Sequence, residues 1–332
     1  MSTQNKIAVI GSGSWATAIV KMLCNNHANV GWYVRNPENI EHIKKYHHNP
    51  NYISSVEFEV AKLSLESDVK NIFSSYNFIV LAVPSAFIHD TLKSLTKDDF
   101  KNKVMFSAIK GIVPERNLII GEYLNTEFDV PFSNIGVITG PCHAEEVAME
   151  KLSYLTVASQ TKLHADFVAD SLKCRFIKCS VSDDIYGTEY AAVLKNIYAL
   201  ASGIFHGLGY GDNFQAVLIS NAIQEMKRYV DAVHPIDRDI KDSAYLGDLL
   251  VTAYSQFSRN RTFGMMIGKG YSVKAAQLEM NMVAEGYYAS KCVYEINKTI
   301  KAHIPIVDSV YRILYEKMAP SIEMKLLANT LS

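Results

Sequence analysis

The sequence predicts an α/β protein in which an N-terminal, open, doubly wound sheet is followed by an all-α C-terminal domain. In the first half, short apolar runs alternate with helical patterns, which is the order of β–α–β units. The apolar runs are almost uninterrupted, as in parallel strands that helices cover on both faces. After about residue 183 the strand patterns stop. The 332 residues are enough for two domains, which we place at residues 1–184 and 185–332.

The predicted strands are the apolar runs of the first half. The main ones are Lys6–Ile10, Val30–Val34, Asn77–Val83, Val104–Ala108 and Gly136–Thr139. Two further runs, Tyr154–Ala158 and Arg175–Cys179, are expected to extend the sheet. Helical patterns lie between the first strands at Ser14–Asn26 and Ser85–Ser94. In the second half, broad apolar faces predict helices at Thr188–Gly203, Asn213–Ala232, Asp242–Ser255 and Ser272–Thr299.

The composition favours a globular protein that acts on a small molecule. Apolar residues make up 48% of the chain and charged residues 20%, which allows a large buried core. Lys plus Arg (33) nearly balances Asp plus Glu (34), and the net charge is -1. Nucleic-acid and membrane-surface proteins usually carry a basic excess, so neither class of partner is expected. The longest apolar stretch, Phe78 to Pro84, is too short to insert across a bilayer.

The cysteines and the N-terminus both favour a cytoplasmic location. The five cysteines are odd in number and show no C-x-x-C spacing, which indicates a reducing compartment. A strand pattern begins as early as Lys6, which leaves no room for a signal peptide. The ten histidines show no ligand spacing, so no metal site is predicted.

The first strand leads into a glycine-rich turn that opens the first predicted helix. The segment Gly11-Ser12-Gly13-Ser14-Trp15-Ala16 has the pattern G-x-G-x-x-A. Gly11 permits a tight turn, Gly13 lets backbone N–H groups approach a pyrophosphate, and Ala16 lets the helix pack close to the strand. In this position the motif indicates a Rossmann-type dinucleotide site. We assign to it Gly11, Gly13, Ser14 and Trp15.

The end of the second strand bears on the choice of cofactor. It reads Tyr33-Val34-Arg35-Asn36. A site that selects NAD usually has an acidic residue here, which accepts hydrogen bonds from the ribose hydroxyls. Arg35 instead suits the 2′-phosphate of NADP, although a solvated arginine at a strand end is the alternative interpretation. The sequence therefore favours NADP(H) and leaves NAD(H) possible.

Several polar segments suit a catalytic site. Lys110 lies just past one strand, and Gly140-Pro141-Cys142-His143-Ala144 follows the next, at the carboxyl edge where such sheets bind ligands. In the helical half, Lys195-Asn196 interrupts an apolar helix. Asp248 and Thr252 are four residues apart and share a helix face, and Ser258-Arg259-Asn260 offers donors that suit a phosphate. Taken singly, each residue is more often a surface group, so the prediction depends on their combination.

These segments together resemble the bacterial-type glycerol-3-phosphate dehydrogenase [NAD(P)+] family. The resemblance extends from the glycine motif to Val283-Ala284-Glu285-Gly286, which is most of the chain. It is carried by six short motifs in the family's order, namely G-x-G-S-W, Lys110-Gly111, Gly140-Pro141, Leu194-Lys195-Asn196, Gly247-Asp248-Leu249 and Ser258-Arg259-Asn260.

The resemblance implies an oxidoreductase that forms a homodimer. Its reaction would be the reversible, NAD(P)H-dependent reduction of dihydroxyacetone phosphate to sn-glycerol 3-phosphate, which supplies glycerophospholipid synthesis. Lys195 would give a proton to the developing alkoxide, and Asp248 would orient its ammonium group. Burial and nearby cations such as Lys110 lower a lysine pKa, whereas Asp248 raises it. The sequence leaves open which effect prevails.

The resemblance also implies the binding residues. Those for the cofactor are Lys110, Ala144, Arg259, Val283 and Glu285. Those for the substrate are Lys110, Gly140, Cys142, Lys195, Asn196, Asp248, Thr252, Ser258, Arg259 and Asn260, with Arg259 and Asn260 on the phosphate. Two residues depart from the family pattern. Cys142 replaces the usual Ser and is a weaker donor, so its backbone N–H is expected to serve, and His143 replaces an aromatic residue.

Two other functions remain open at this point. The chain is alternatively another two-domain dehydrogenase, of the 6-phosphogluconate or ketopantoate type, which predicts activity on a non-phosphorylated keto substrate. It is alternatively a non-catalytic NADP-binding redox sensor, which predicts cofactor binding without turnover. The pairing of Lys195 with Asp248 has no explanation in the sensor.

Overall fold

A computed structural model describes residues 5–280 and 284–332. The chain divides into two compact units, the first assigned Met1–Ile109 and Ile120–Ile185, the second Lys110–Ile119 and Tyr186–Ser332. The short segment that begins with Lys110 therefore belongs to the helical unit. The predicted domain ranges, 1–184 and 185–332, stay a prediction.

The described residues of the first unit form an eight-stranded sheet. Its strands are β1 (Ile7–Ile10), β2 (Val30–Tyr33), β3 (Leu63–Glu66), β4 (Phe78–Leu81), β5 (Val104–Ser107), β6 (Ile135–Thr139), β7 (Ser153–Ser159) and β8 (Ile177–Ser182). Their order is β8-β7-β6-β5-β4-β1-β2-β3, and all neighbours are parallel except β6 and β7. The chain reverses its direction of travel across the sheet between β1 and β4. Such a switch point is where doubly wound sheets bind ligands.

Helices connect the strands of this sheet. They are α1 (Ser14–Leu23), α2 (Pro37–Tyr46), α3 (Val69–Ser75), α4 (Ile88–Leu92), α5 (Ile120–Phe128), α6 (Ala144–Ala148) and α7 (Lys162–Leu172), with short 3-10 turns at Val60–Lys62, Ser85–Phe87, Lys97–Phe100 and Phe132–Asn134. Every residue of β1, β4 and β5 is buried. This burial explains why their sequences are continuous apolar runs without alternation.

The predicted fold class is confirmed, with two differences inside the sheet. The sequence analysis missed β3, whose four residues are all half-buried at the edge of the sheet and therefore give no strong apolar pattern. The two strands that extend the sheet are present, but β7 runs antiparallel to β6. A hydrophobic run carries no information on strand direction.

The second unit is mainly helical in the residues that the structure describes, and it also contains a short antiparallel hairpin of Ile112–Val113 and Leu118–Ile119. Its helices are α8 (Ile185–Gly207), α9 (Asp212–Val233), α10 (Asp248–Tyr254), α11 (Arg259–Gly268), α12 (Val273–Glu279), α13 (Glu285–Ile300), α14 (Pro305–Tyr315) and α15 (Pro320–Ala328), with one π-helical turn at Ser243–Gly247. From Gly187 to Phe205 every residue of α8 is buried, so α8 is the central helix of this unit. None of the helices in residues 5–280 and 284–332 is long and apolar enough to cross a membrane.

Four glycines let α8 and α11 pack with their backbones in near contact. A Cβ on Gly203 would lie 2.1 Å from the carbonyl oxygen of Arg261, and one on Gly264 would lie 2.0 Å from that of Leu200. Gly207 and Gly268 face α11 and α8 in the same way. Larger side chains at these positions would push the helices apart. This packing fixes the start of α11, which carries Arg259 and Asn260, relative to α8.

The predicted single helix over Ser272–Thr299 is wrong. The structure has two helices there, α12 and α13, and the residue after α12, Met280, and the residue before α13, Ala284, both have an extended backbone. The reason lies at Gly286, whose backbone N–H donates to the side chain of Asn260 at 2.8 Å. A tertiary contact therefore sets the start of α13, and periodicity does not report such a contact.

Candidate active site

The two glycines of the loop after β1 have different surroundings, tightly packed at Gly11 and open at Gly13. Gly11 has a φ of +128°, and a Cβ there would meet the carbonyl oxygen of Ala82 at 2.6 Å. Gly13 has ordinary extended angles. A Cβ on Gly13 would meet none of the described atoms within 4 Å. Packing thus requires glycine at the first position, while the second leaves space that a ligand can approach.

Helix α1 begins directly after this loop, with Ser14 and Trp15 as its first residues. In the described structure Gly13 is the N-cap and provides no side-chain cap, and the first turn carries no acidic residue. The N-terminus of a helix carries a partial positive charge and exposes N–H groups. An uncapped N-terminus beside an open glycine loop suits a pyrophosphate. The residues present therefore fit a dinucleotide.

The predicted residues at the carboxyl edge of the sheet have different environments. Arg35 is exposed just after β2. Gly140 ends β6 with a φ of +121°, and a Cβ there would lie 2.8 Å from the carbonyl oxygen of Tyr154. Cys142 is buried in the loop that follows, and Ala144 is the buried first residue of α6. Both the positive φ and the close contact with Tyr154 favour glycine at position 140.

In the second unit, Asp248 lies between two lysines. Its Oδ2 accepts from Lys110 Nζ at 3.1 Å, and its Oδ1 accepts from Lys195 Nζ. The side chain of Asp248 is 1% exposed, that of Lys195 is 5% exposed and that of Lys110 is 18% exposed. The two lysines come from separate sequence motifs and meet on one carboxylate.

Burial decides the charge state of this cluster. It lowers the pKa of Lys195 from its ordinary 10.5 to about 7, against the opposing attraction of Asp248 and with help from the positive charge of Lys110. Burial by itself would raise the pKa of Asp248, but the ammonium groups of Lys110 and Lys195 outweigh it and the pKa is lowered. The carboxylate is therefore ionised near neutrality, and Lys195 gives up its proton far more readily than an ordinary lysine does. That is the state a proton donor and acceptor needs.

Two asparagines tie the cluster to the surrounding helices. Asn196 Nδ2 donates to the carbonyl oxygen of Lys110 at 2.7 Å and to that of Ala192 at 3.2 Å. Its Oδ1 accepts from Asn260 Nδ2 at 2.9 Å, and Asn260 Oδ1 accepts from the N–H of Gly286 at 2.8 Å. The chain of amides joins the Lys110 segment, α8, α11 and α13. It fixes where the backbone of Lys110 lies.

The two predicted hydroxyl groups make bonds within the protein. Thr252 Oγ1 donates to the carbonyl oxygen of Asp248 at 2.6 Å, and its contact with Asp248 Oδ1 is 3.5 Å. Ser258 is the N-cap of α11, and its Oγ accepts from the N–H of Arg261 at 3.3 Å. Arg259, the first residue of α11, is exposed, and Glu285 is the first residue of α13. The cofactor prediction for Val283 lies outside the described residues.

The structure therefore brings two groups of the predicted residues together, and the other predicted residues belong to neither group. Lys110, Lys195, Asn196, Asp248, Thr252 and Asn260 are joined by hydrogen bonds inside the second unit. Gly11, Gly13, Ser14 and Trp15 form the loop and helix start of the first unit.

Sequence reasoning missed several supporting residues. Gly286 received no role, although a Cβ there would lie 2.6 Å from the carbonyl oxygen of Asn196. It also missed Thr17, Trp32 and Asn49, whose side chains hydrogen-bond to the glycine loop. Gly286 ends the segment Val283-Ala284-Glu285-Gly286, so its position in a family motif was a signal that glycine is required there. Asn49 gave no signal, because its partner is 37 residues away.

The fold and the site define a class of protein. The first unit is a doubly wound sheet with a glycine loop of the kind that binds a pyrophosphate. The second is a mainly helical unit with a buried lysine whose pKa is lowered. This combination is typical of two-domain dehydrogenases that use a nicotinamide dinucleotide. Such enzymes move a hydride and a proton together. The lysine–aspartate pair is suited to the transfer of the proton.

Comparison with known proteins identifies the family. Models of the N-terminus and C-terminus of NAD-dependent glycerol-3-phosphate dehydrogenase match residues 6–165 and 184–325. The glycerol-3-phosphate dehydrogenase [NAD(P)+] of Bacillus pumilus is 34% identical over 94% of this chain and 90% of its own length. The crystal structure of glycerol-3-phosphate dehydrogenase from Coxiella burnetii has a TM-score of 0.90 at 28% identity and covers 98% of both chains. The chain belongs to the NAD-dependent glycerol-3-phosphate dehydrogenase family.

Proposed function

We propose that this chain catalyses the reversible, NAD(P)H-dependent reduction of dihydroxyacetone phosphate to sn-glycerol 3-phosphate. The observation that carries the proposal is the buried cluster of Lys195, Asp248 and Lys110, in which the pKa of Lys195 is lowered to about 7. A ketone reduction needs a proton on the oxygen as the carbon receives hydride, and the cluster supplies it at neutral pH.

The proton step is assigned to Lys195. When bound, the reduced nicotinamide supplies hydride for carbon 2 of the ketone. Lys195 Nζ gives its proton to the ketone oxygen in that direction and takes it back in the other. Asp248 accepts a hydrogen bond from Lys195 and so fixes the direction of its ammonium group. The charge on Lys110 offsets that of the carboxylate, and it also stabilises negative charge on the substrate oxygen.

Substrate binding is assigned to the residues that the family resemblance implies. Arg259 and Asn260 are proposed to hold the phosphate, since a guanidinium fork matches phosphate oxygens. Asn260 Nδ2 gives one of its two N–H groups to Asn196 and so retains the other. The other proposed substrate contacts are Lys110, Gly140, Cys142, Lys195, Asn196, Asp248, Thr252 and Ser258. Because Asn196 Nδ2 already donates twice, Asn196 acts mainly by holding Lys110.

Cofactor binding is assigned to both units. The glycine loop and the start of α1 are proposed to hold the pyrophosphate, and the exposed Arg35 the 2′-phosphate, which makes NADP(H) the preferred cofactor. The remaining proposed contacts are Lys110, Ala144, Arg259, Val283 and Glu285. The sensor alternative gives no use for a buried, near-neutral Lys195.

The location and the oligomeric state of the enzyme belong to the same proposal. The product is the backbone of glycerophospholipids, and we place the enzyme in the cytoplasm as a homodimer.

The experiment measures oxidation of NADPH and of NADH by the purified chain, with and without dihydroxyacetone phosphate. We expect oxidation that depends on the substrate, faster with NADPH than with NADH. An Arg35→Ser variant is expected to lose the preference for NADPH but keep activity. Cofactor binding without turnover would contradict the proposal and favour the sensor, and turnover only of a non-phosphorylated keto acid would favour the other dehydrogenases.

A further inference from the structure

Three buried side chains donate hydrogen bonds to the backbone of the glycine loop. The carbonyl oxygens of Gly11–Gly13 each accept a hydrogen bond, in chain order from Trp32 Nε1 at 2.7 Å, Asn49 Nδ2 at 3.0 Å and Thr17 Oγ1 at 2.9 Å. Trp32 and Thr17 are 0% exposed and Asn49 is 2% exposed. Buried donors are costly to leave without an acceptor, so these bonds hold the loop in one conformation.

Asn49 uses its whole hydrogen-bonding capacity in this arrangement. Its second N–H donates to Thr17 Oγ1 at 2.9 Å. Its Oδ1 accepts from the backbone N–H groups of Asn51 at 3.0 Å and Tyr52 at 3.3 Å. A backbone N–H needs an acceptor, and the amide oxygen of Asn49 is an acceptor whereas its NH₂ group is not. These two bonds therefore show that the NH₂ group faces the loop. Asn49 therefore donates toward the loop by necessity.

The three bonds also determine where the loop's own N–H groups point. In a trans peptide the C=O and the following N–H point in opposite directions. Each held carbonyl therefore directs the N–H of the next residue, at positions 12 to 14, away from the donor that holds it. The loop also has open space, since a Cβ at Gly13 would meet none of the described atoms within 4 Å. Backbone N–H groups of successive residues beside open space can bind an anion.

We propose that Asn49, Trp32 and Thr17 are positioning residues that preorganise the glycine loop for the pyrophosphate of the dinucleotide. The inference rests on the proposed function for the identity of that ligand. None of the three needs to touch the cofactor. They lower the cost of binding because the loop does not have to be ordered when the pyrophosphate arrives.

Matched substitutions separate this role from ordinary packing. Asn49→Asp keeps the oxygen that accepts from Asn51 and Tyr52 but turns the donor that faces the loop into an acceptor. Thr17→Val removes the hydroxyl at nearly constant volume, and Thr17→Ser restores it. As a control, Asn125→Asp makes the same change at an amide that donates to the carbonyl oxygen of Val130 at 2.9 Å, outside the loop.

The test is a fluorescence titration of each protein with NADPH and NADH, accompanied by thermal melting without cofactor. We expect Asn49→Asp and Thr17→Val to raise the Kd about tenfold, and Thr17→Ser and Asn125→Asp to leave it within about twofold. Adenosine 2′-phosphate, which lacks a pyrophosphate, should bind Asn49→Asp as it binds the parent chain. If Asn49→Asp does not fold, Thr17→Val and Trp32→Phe decide the question.

Two results would overturn the inference. One is an unchanged Kd in the folded loop variants, and the other is an equal loss of affinity for NADPH and for adenosine 2′-phosphate. If the parent chain itself binds neither NADPH nor NADH, the proposed function fails, which is a different outcome from either of these.

Discussion

Lys195 occupies a position where an ordinary lysine would be destabilising, because α8 is buried along most of its length. The ion pair with Asp248 stabilises the buried ammonium group of Lys195. Lys110 pairs with the same carboxylate, and its positive charge lowers the pKa of Lys195. The result is a lysine whose pKa lies at about 7. Each of the three residues therefore depends on the other two, and removing one changes the charge state of the remainder.

The Lys110→Met variant tests this dependence. The positive charge of Lys110 is one cause of the lowered pKa of Lys195, so its removal should move the pH at which activity falls to a higher value. We also expect activity at pH 7 to fall about 100-fold, as when a donor to the reacting oxygen is lost. The measurement is kcat/KM for ketone reduction across pH. Lys298→Met removes an exposed lysine of the same unit and should leave the profile in place. If kcat/KM of Lys110→Met falls at the same pH as in the parent chain, or at a lower pH, the charge of Lys110 does not lower the pKa of Lys195.

The sequence predicts which residues react but not which contacts hold them in place. Lys110, Lys195 and Asp248 stand in motifs, and their types suggest their chemistry. The direction of the Lys195 pKa shift required the exposed fraction of the side chain and the identity of its neighbours, and neither is written in the sequence. The contact of Asn196 with Lys110 O, across 86 residues, was equally invisible.

At the scale of elements, the close packing of α8 on α11 sets the site. The spacing of Gly203 and Gly207, and of Gly264 and Gly268, places each pair on one helix face. Both pairs were readable from the sequence as small residues four apart, yet only the structure shows that they face one another. The sequence analysis predicted helices at the positions of α8, α9 and α10 but none at α11, α14 or α15. It also missed the break between α12 and α13, next to which Gly286 contacts Asn260.

The Gly264→Ala variant tests the importance of this packing. A Cβ there would lie 2.0 Å from the carbonyl oxygen of Leu200, so the helices must separate. We expect a loss of about 1–3 kcal/mol in the free energy of unfolding, together with a higher KM for the phosphorylated substrate because the start of α11 moves. Denaturant unfolding and steady-state kinetics measure the two effects.

Gly211→Ala is the control for that experiment. A Cβ at Gly211 would meet none of the described atoms within 4 Å, and its backbone is extended. Stability and KM should both stay near those of the parent chain. Equal behaviour of the two variants would contradict the account of the α8–α11 packing.

At the scale of the whole molecule, the two units carry separable tasks. In the proposed function, the first unit binds the dinucleotide at its glycine loop, and the second supplies the proton from Lys195, whose pKa is about 7. The general architecture was predictable because a β–α rhythm followed by helices leaves few alternatives. The direction of β7 and the edge strand β3 were not predictable, since strand pairing is decided by tertiary contacts.

The most direct test of the central claim is the pH dependence of kcat/KM for dihydroxyacetone phosphate reduction by the parent chain. Reduction requires the protonated form of Lys195, whose pKa is about 7, so kcat/KM should be level below that pH and fall about tenfold per pH unit above it. Oxidation of sn-glycerol 3-phosphate should rise over the same range, and Lys195→Met should bind NADPH normally but lose at least about 100-fold in kcat. A reduction rate that stays level to pH 9, or a Lys195→Met variant with full turnover, would show that Lys195 is not the proton donor.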